Sequence, residues 1–118
     1  MPGIDELAEA ALSGDALRLR SLVQDWLRET GQYQDVAAPT STDPTKRAIA
    51  AGLVEMFAER ARQDAPDWTR NVLAAPEPLF LLRAAVTMRR LRKLCEEQSP
   101  LPLRRRQIFA PPDYLTFA

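Results

Sequence analysis

The stretch "DPTKRAIAAGLVEMFAERARQ", Asp43 to Gln63, limits the folds open to this chain more than any other. Thr42 or Asp43 offers a side-chain oxygen to the orphan amides of a helix start. Pro44 suits the first turn because the amide hydrogen it lacks had no partner there. Ile49, Leu53, Val54, Phe57 and Ala61 then recur on one side at helical spacing. Gly52 inside this helix costs about 1 kcal/mol against alanine, which predicts close approach of another helix.

The rest of the chain reads the same way. "IDELAEAAL" places Ile4, Leu7, Ala8, Ala11 and Leu12 on one face of a short first helix ended by Ser13 and Gly14. A second helix starts at once, capped by Ser13 or Asp15, with Leu19, Leu22, Val23, Trp26 and Leu27 as its apolar stripe and Trp26 as a core anchor. Residues 31–44, "GQYQDVAAPTSTDP", lack a period and form a long connecting loop, either wrapped on the surface or mobile, with Tyr33 and Val36 able to tack it down. A short helical turn is expected from Asp67 to Leu73 between prolines.

A last long helix is expected over Leu79 to Gln98. At 100° steps it puts Phe80, Ala84, Thr87, Met88, Leu91, Leu94 and Cys95 on one half, and Arg83, Arg89, Arg90, Arg92 and Lys93 on the other. Ser99 and Pro100 end it. The remainder is a turn of helix with an extended tail over 107–118, or extended throughout. No segment alternates long enough for a strand; "QIF" is the best candidate and is too short to carry a sheet. The expected fold is all-α, a small helical bundle of four to five helices with an extended C-terminal tail, in one domain over 1–118.

Composition removes several function classes. The chain has one cysteine, Cys95, and no histidine, so an internal disulfide and a Cys/His metal site are both excluded. Cys95 falls on the apolar half of its helix, where a thiol is buried and unreactive. The commonest neutral-pH base is missing as well. The carboxylates at helical spacing, Asp5, Glu6 and Glu9, or Glu55 and Glu59, are flanked by arginines and read as solvated faces. The glycines at 3, 14, 31 and 52 are isolated, so no phosphate-cradling loop is present. Neither an enzyme nor a cofactor-binding protein is expected. The acidic, glycine-broken amino terminus does not resemble a signal peptide, and a cytoplasmic location is expected.

Net charge is zero, but residues 1–82 carry 13 acids and 8 bases whereas residues 83–118 carry 8 bases and 3 acids, giving −5 and +5. Arg83, Arg89, Arg90, Arg92, Lys93, Arg104, Arg105 and Arg106 hold that positive charge. Three readings follow. They are a solvated face partly paired with acids from the first two-thirds, a surface that docks on an acidic protein, or a nucleic-acid contact. Arginine in seven of these eight places favours bidentate carboxylate pairing, while zero net charge and the lack of a recognisable binding motif weaken the nucleic-acid reading. Leu79 and Phe80, within the proline-bounded "AAPEPLF", are either a rigid connector or an apolar lip. Ile108, Phe109, Tyr114, Leu115 and Phe117 are too apolar for a free tail and are expected to pack on this domain or another chain.

"APDWTRNV", "PEPLFLLRAA" and "RLRKLCEEQSPLPLRRRQIFAPPDYLTFA" together resemble an uncharacterised family of small bacterial proteins encoded beside a nucleotidyltransferase-like protein, an arrangement like a toxin-antitoxin pair. The resemblance spans roughly Asp67 to Ala118. Its most specific part is a pattern of the form ESP-x-x-x-RRR-x-[IF]-[FY], met by Glu97 to Pro100 and Arg104 to Phe109 except that Gln98 separates the glutamate from the serine. It implies the antitoxin-like member of such a pair, a non-catalytic partner that binds and restrains, or positions, a nucleotidyltransferase. In that role the eight cations meet an acidic surface, and Leu79, Phe80, Ile108, Phe109 and Tyr114 supply apolar anchors. The alternatives are a nucleic-acid-binding accessory protein using the same arginines and a homo-oligomeric helical scaffold.

Overall fold

The helix starts follow from their caps. In the computed structural model, which describes residues 3–116, Asp15 accepts from the Arg18 amide at 3.1 Å to open α2 (Ala16–Glu29), after α1 (Ile4–Ser13) has closed on Gly14. Gly14 is left-handed, φ 75°, the conformation that reverses the chain between two helices joined without a loop. Asp43 accepts from the Thr45 amide at 2.9 Å, and Pro44 occupies the first turn of α3 (Pro44–Arg60). Helices α4 (Arg89–Gln98) and α5 (Leu101–Arg104) follow, with 3₁₀ turns at Tyr33–Asp35, Asp67–Asn71 and Arg83–Val86. The protein is therefore the all-α bundle that its sequence predicts.

α3 is the centre of the molecule. The sequence suggests one apolar side, yet every residue from Ala48 to Ala58 is buried. The reason is that α1, α5 and the Asp67–Asn71 turn all pack against it, as a helix enclosed all round requires. Gly52 meets the expectation of close approach, since a methyl added there would stand 2.6 Å from Cδ2 of fully buried Leu103 in α5. Trp26 is 2% exposed, with Tyr33 and Phe57 ring centroids at 5.7 and 5.6 Å.

The long connection after α2 wraps the surface. Tyr33 is buried, Trp68 Nε1 donates to the Val36 carbonyl at 2.7 Å, and the Asp5 carboxylate accepts from the Thr40 amide, the Thr40 hydroxyl and the Ser41 amide. Burial works to raise the Asp5 carboxyl, but these donors outweigh it and hold the group below the usual carboxylate range.

The expected long helix over 79–98 is not formed. Leu79–Phe80 is instead strand β1, paired in parallel with strand β2, Ile108–Phe109, in the register Leu79 with Ile108 and Phe80 with Phe109. The Leu79 amide donates to Gln107 O at 2.9 Å and the Leu81 amide to Phe109 O at 3.0 Å. Helical geometry resumes only at Arg83 and, after extended Met88, at Arg89. The expected extended tail is likewise replaced. Ile108 and Ala110 are fully buried, and Pro111 to Leu115 turn back on themselves, with the Tyr114 amide donating to Pro111 O at 3.0 Å. Phe117 lies outside the described residues. No described helix is long and apolar enough to cross a membrane.

Candidate partner-binding surface

The eight predicted cations do not form one face. Arg106 is only 4% exposed and inserts beside α3, where it pairs with Glu55 and donates to Pro102 O at 2.9 Å and Thr69 O at 2.8 Å. Arg105 Nη2 reaches the same Glu55 oxygen at 2.5 Å. Arg104 donates to the Glu97 carbonyl at 2.5 Å, near the end of α4, and Arg83 donates to the Ser13 carbonyl at 2.5 Å, where the guanidinium complements the C-terminal end of α1. The last three arginines thus belong to the fold's own bonding, and Arg106 is withdrawn from any docking face.

Glu55, read from its spacing as a solvated acid, is 8% exposed. Burial pushes its carboxyl up, but the hydrogen bonds and charges of Arg106 and Arg105 prevail and hold it below the ordinary glutamate range. The signal that it is internal lies in its neighbours Val54, Met56 and Phe57, which leave no polar side to the helix.

The apolar anchors divide similarly. Ile108 is fully buried and is no anchor for a partner. Phe80 and Phe109 are half-buried and stack at 5.2 Å, with interplanar angle 29°, and Arg92 caps the pair with its guanidinium 5.1 Å from the Phe80 ring. Leu79 is half-buried beside them. Tyr114 is partly buried, and that burial pushes its hydroxyl up.

What remains exposed is on α4 and the turn before it. α4 packs chiefly on the Arg83–Val86 turn and buries only Cys95. Burial, and next the neighbouring Glu96 charge, push that thiol up and keep it inert. Arg92 pairs with Glu96 at 2.9 Å and Lys93 with Glu97 at 4.0 Å, both along the exposed helix. Arg89 and Arg90 have no ion-pair partner among the described residues. They adjoin Val86 and Met88, 58% and 57% exposed, so that all five residues from Val86 to Arg90 face solvent. Sequence periodicity missed this patch because it assigned Met88 to a buried helical half. Among the described residues, no three acidic or cysteine side chains converge to hold a metal.

No protein family, characterised protein or solved structure matches this chain. The exposed surface offers two guanidinium groups without ion-pair partners among the described residues, beside two exposed apolar side chains, at an element that contributes little to the core.

Proposed function

We propose that this chain is a non-catalytic interaction protein, the antitoxin-like partner that binds and restrains a nucleotidyltransferase-like protein, and that Val86 to Arg90 is its contact. The observation that carries this reading is the uninterrupted exposure of those five residues, with Arg89 and Arg90 unpaired. Bidentate pairing with carboxylates on an acidic, metal- or phosphate-binding surface would orient the complex, while Val86 and Met88 supply the desolvated centre. Arg92 and Lys93, one turn on, stand at the rim, with the Arg92 guanidinium over the half-buried Phe80 that stacks on Phe109.

Co-expression with a nucleotidyltransferase-like protein of the kind that the resemblance pairs with this chain tests it. The double change Arg89→Glu and Arg90→Glu, and separately Met88→Asp, should abolish co-purification while leaving the circular dichroism spectrum unchanged. Undiminished capture by both variants would remove the docking role from this patch. Binding to DNA or RNA that weakens with salt at a slope of about −0.9 per phosphate contacted would instead favour the nucleic-acid reading, and a multimer in light scattering of the protein alone would favour a self-assembling scaffold.

A further inference from the structure

A second site, with no residue of α4 in its lining, is a cleft of about 410 Å³ lined by Glu55, Arg70, Val72, Leu73, Ala74, Arg105 and Arg106. Its charges do not balance. Arg105 and Arg106 share one carboxylate oxygen of Glu55, so a single negative charge faces two guanidinium groups. Arg70 adds a third, and its nearest acid, Asp67, stands 3.9 Å away and almost wholly in water. Among the described residues no second carboxylate pairs with Arg105 or Arg106. Arg106 Nε is buried and has no hydrogen-bond partner. Arg106 is enclosed with Glu55, whereas the Arg105 and Arg70 side chains are 52% and 79% exposed and open to a counter-anion.

Val72, Leu73 and Ala74 make the apolar part of the lining. Leu73 is 85% exposed, and Val72 is half-buried beside it. We propose that this cleft binds a small oxyanion, a carboxylate or phosphate borne on a short apolar group, with Arg70 and Arg105 gripping the anion and Val72, Leu73 and Ala74 covering the apolar part. A carboxylate or phosphate is the partner whose planar or multi-oxygen edge two guanidinium groups hold best. None of these residues belongs to α4 or the turn before it, so the site stands independently of the docking surface.

Titration of ¹⁵N-labelled full-length protein with inorganic phosphate, acetate and isovalerate at fixed ionic strength tests it, read at the backbone amides of residues 70–74 and at the Nε–H signals of Arg105 and Arg106. Saturable shifts at these signals are expected with roughly millimolar affinity, the strength two charge-assisted contacts support. Isovalerate should bind about tenfold more tightly than acetate because its branched chain covers apolar surface. Phosphate saturating where the carboxylates do not would assign the site to phosphate esters, and the reverse to carboxylates. The variant Arg70→Ala, whose side chain has only an exposed partner and so is dispensable for folding, should weaken binding about tenfold. Arg70→Ala with Arg105→Ala should remove saturation. Shifts that rise linearly for all three ions, carboxylates that both saturate with isovalerate no tighter than acetate, or binding unchanged in Arg70→Ala would each overturn the proposal. Arg89→Glu with Arg90→Glu should leave the titration as it is.

Discussion

Replacing Glu55 with alanine would leave the Arg106 guanidinium buried without a carboxylate, which costs about 3–5 kcal/mol when one partner of a buried pair is removed. A lower urea midpoint of that size is the expected result, and an unchanged midpoint would show that the pair contributes nothing. Acid should act on the same bond. Because the folded Glu55 carboxyl is held below its ordinary value, its contribution is present above the unfolded value of about 4.3 and is lost as pH falls through the lower folded value. The stability advantage of the native chain over Glu55→Gln should therefore shrink below about pH 4. An advantage constant from pH 7 to 3 would contradict this assignment. Spacing alone misread this residue, since an acid four positions from another looks solvated unless the opposite faces of its helix are also known to be covered.

At the scale of elements, the α3–α5 contact depends on the missing side chain of Gly52. Alanine there gains about 1 kcal/mol of helix propensity, but its methyl meets Leu103 Cδ2 at 2.6 Å and Pro102 O at 3.4 Å. Leu103 is fully buried, so displacing its Cδ2 disturbs the packing around it, and overpacking of about 1–3 kcal/mol should prevail. Gly52→Ala is expected to melt at lower temperature, and pairing it with Leu103→Val should recover part of the loss. A variant as stable as the native chain would show that α5 shifts freely. Helices α1, α2 and α3 were legible because each carries an apolar stripe at helical spacing, with Gly14 ending α1, Asp15 opening α2, and Asp43 and Pro44 opening α3. The 79–98 segment was not. "LFLL" is a four-residue apolar run whose period cannot separate strand from helix, and its partner Ile108–Phe109 lies far along the chain. The same misreading hid the exposed patch, because a continuous helix turns Met88 inward whereas the break at Thr87 and Met88 turns it to solvent.

Across the whole molecule, the acidic first two-thirds and the basic last third are joined among the described residues by the ion pairs of Arg105 and Arg106 with Glu55. Most of the charge difference that is legible in the sequence therefore remains on the surface, where it can steer encounter with a charged partner. The C-terminal segment is also structural. Ending the chain at Gln107 would remove β2 together with fully buried Ile108 and Ala110. Burying an isoleucine contributes about 1.5–3 kcal/mol and each ladder hydrogen bond about 0.5–1.5 kcal/mol, a large share of a typical stability of about 5–15 kcal/mol. The truncated chain should lose its cooperative thermal transition in circular dichroism. A melt within a few degrees of the full chain would show that the tail adds little to this fold and leave its apolar residues to pack on another chain.

The β1–β2 ladder has one further result. It ties together the two ends of the excursion over 81–107, and α4 is fastened again within that excursion. On one side Arg83 donates to the Ser13 carbonyl, and on the other Ser99 Oγ lies within hydrogen-bonding reach of the Cys95 and Ala110 carbonyls and accepts from the Ala110 amide. The disorder of a 27-residue excursion is thus given up during folding and not at encounter. A partner docking at Val86 to Arg90, as proposed, would meet residues already presented on a tethered frame, and the affinity of that contact would not be reduced by the entropy of arranging them.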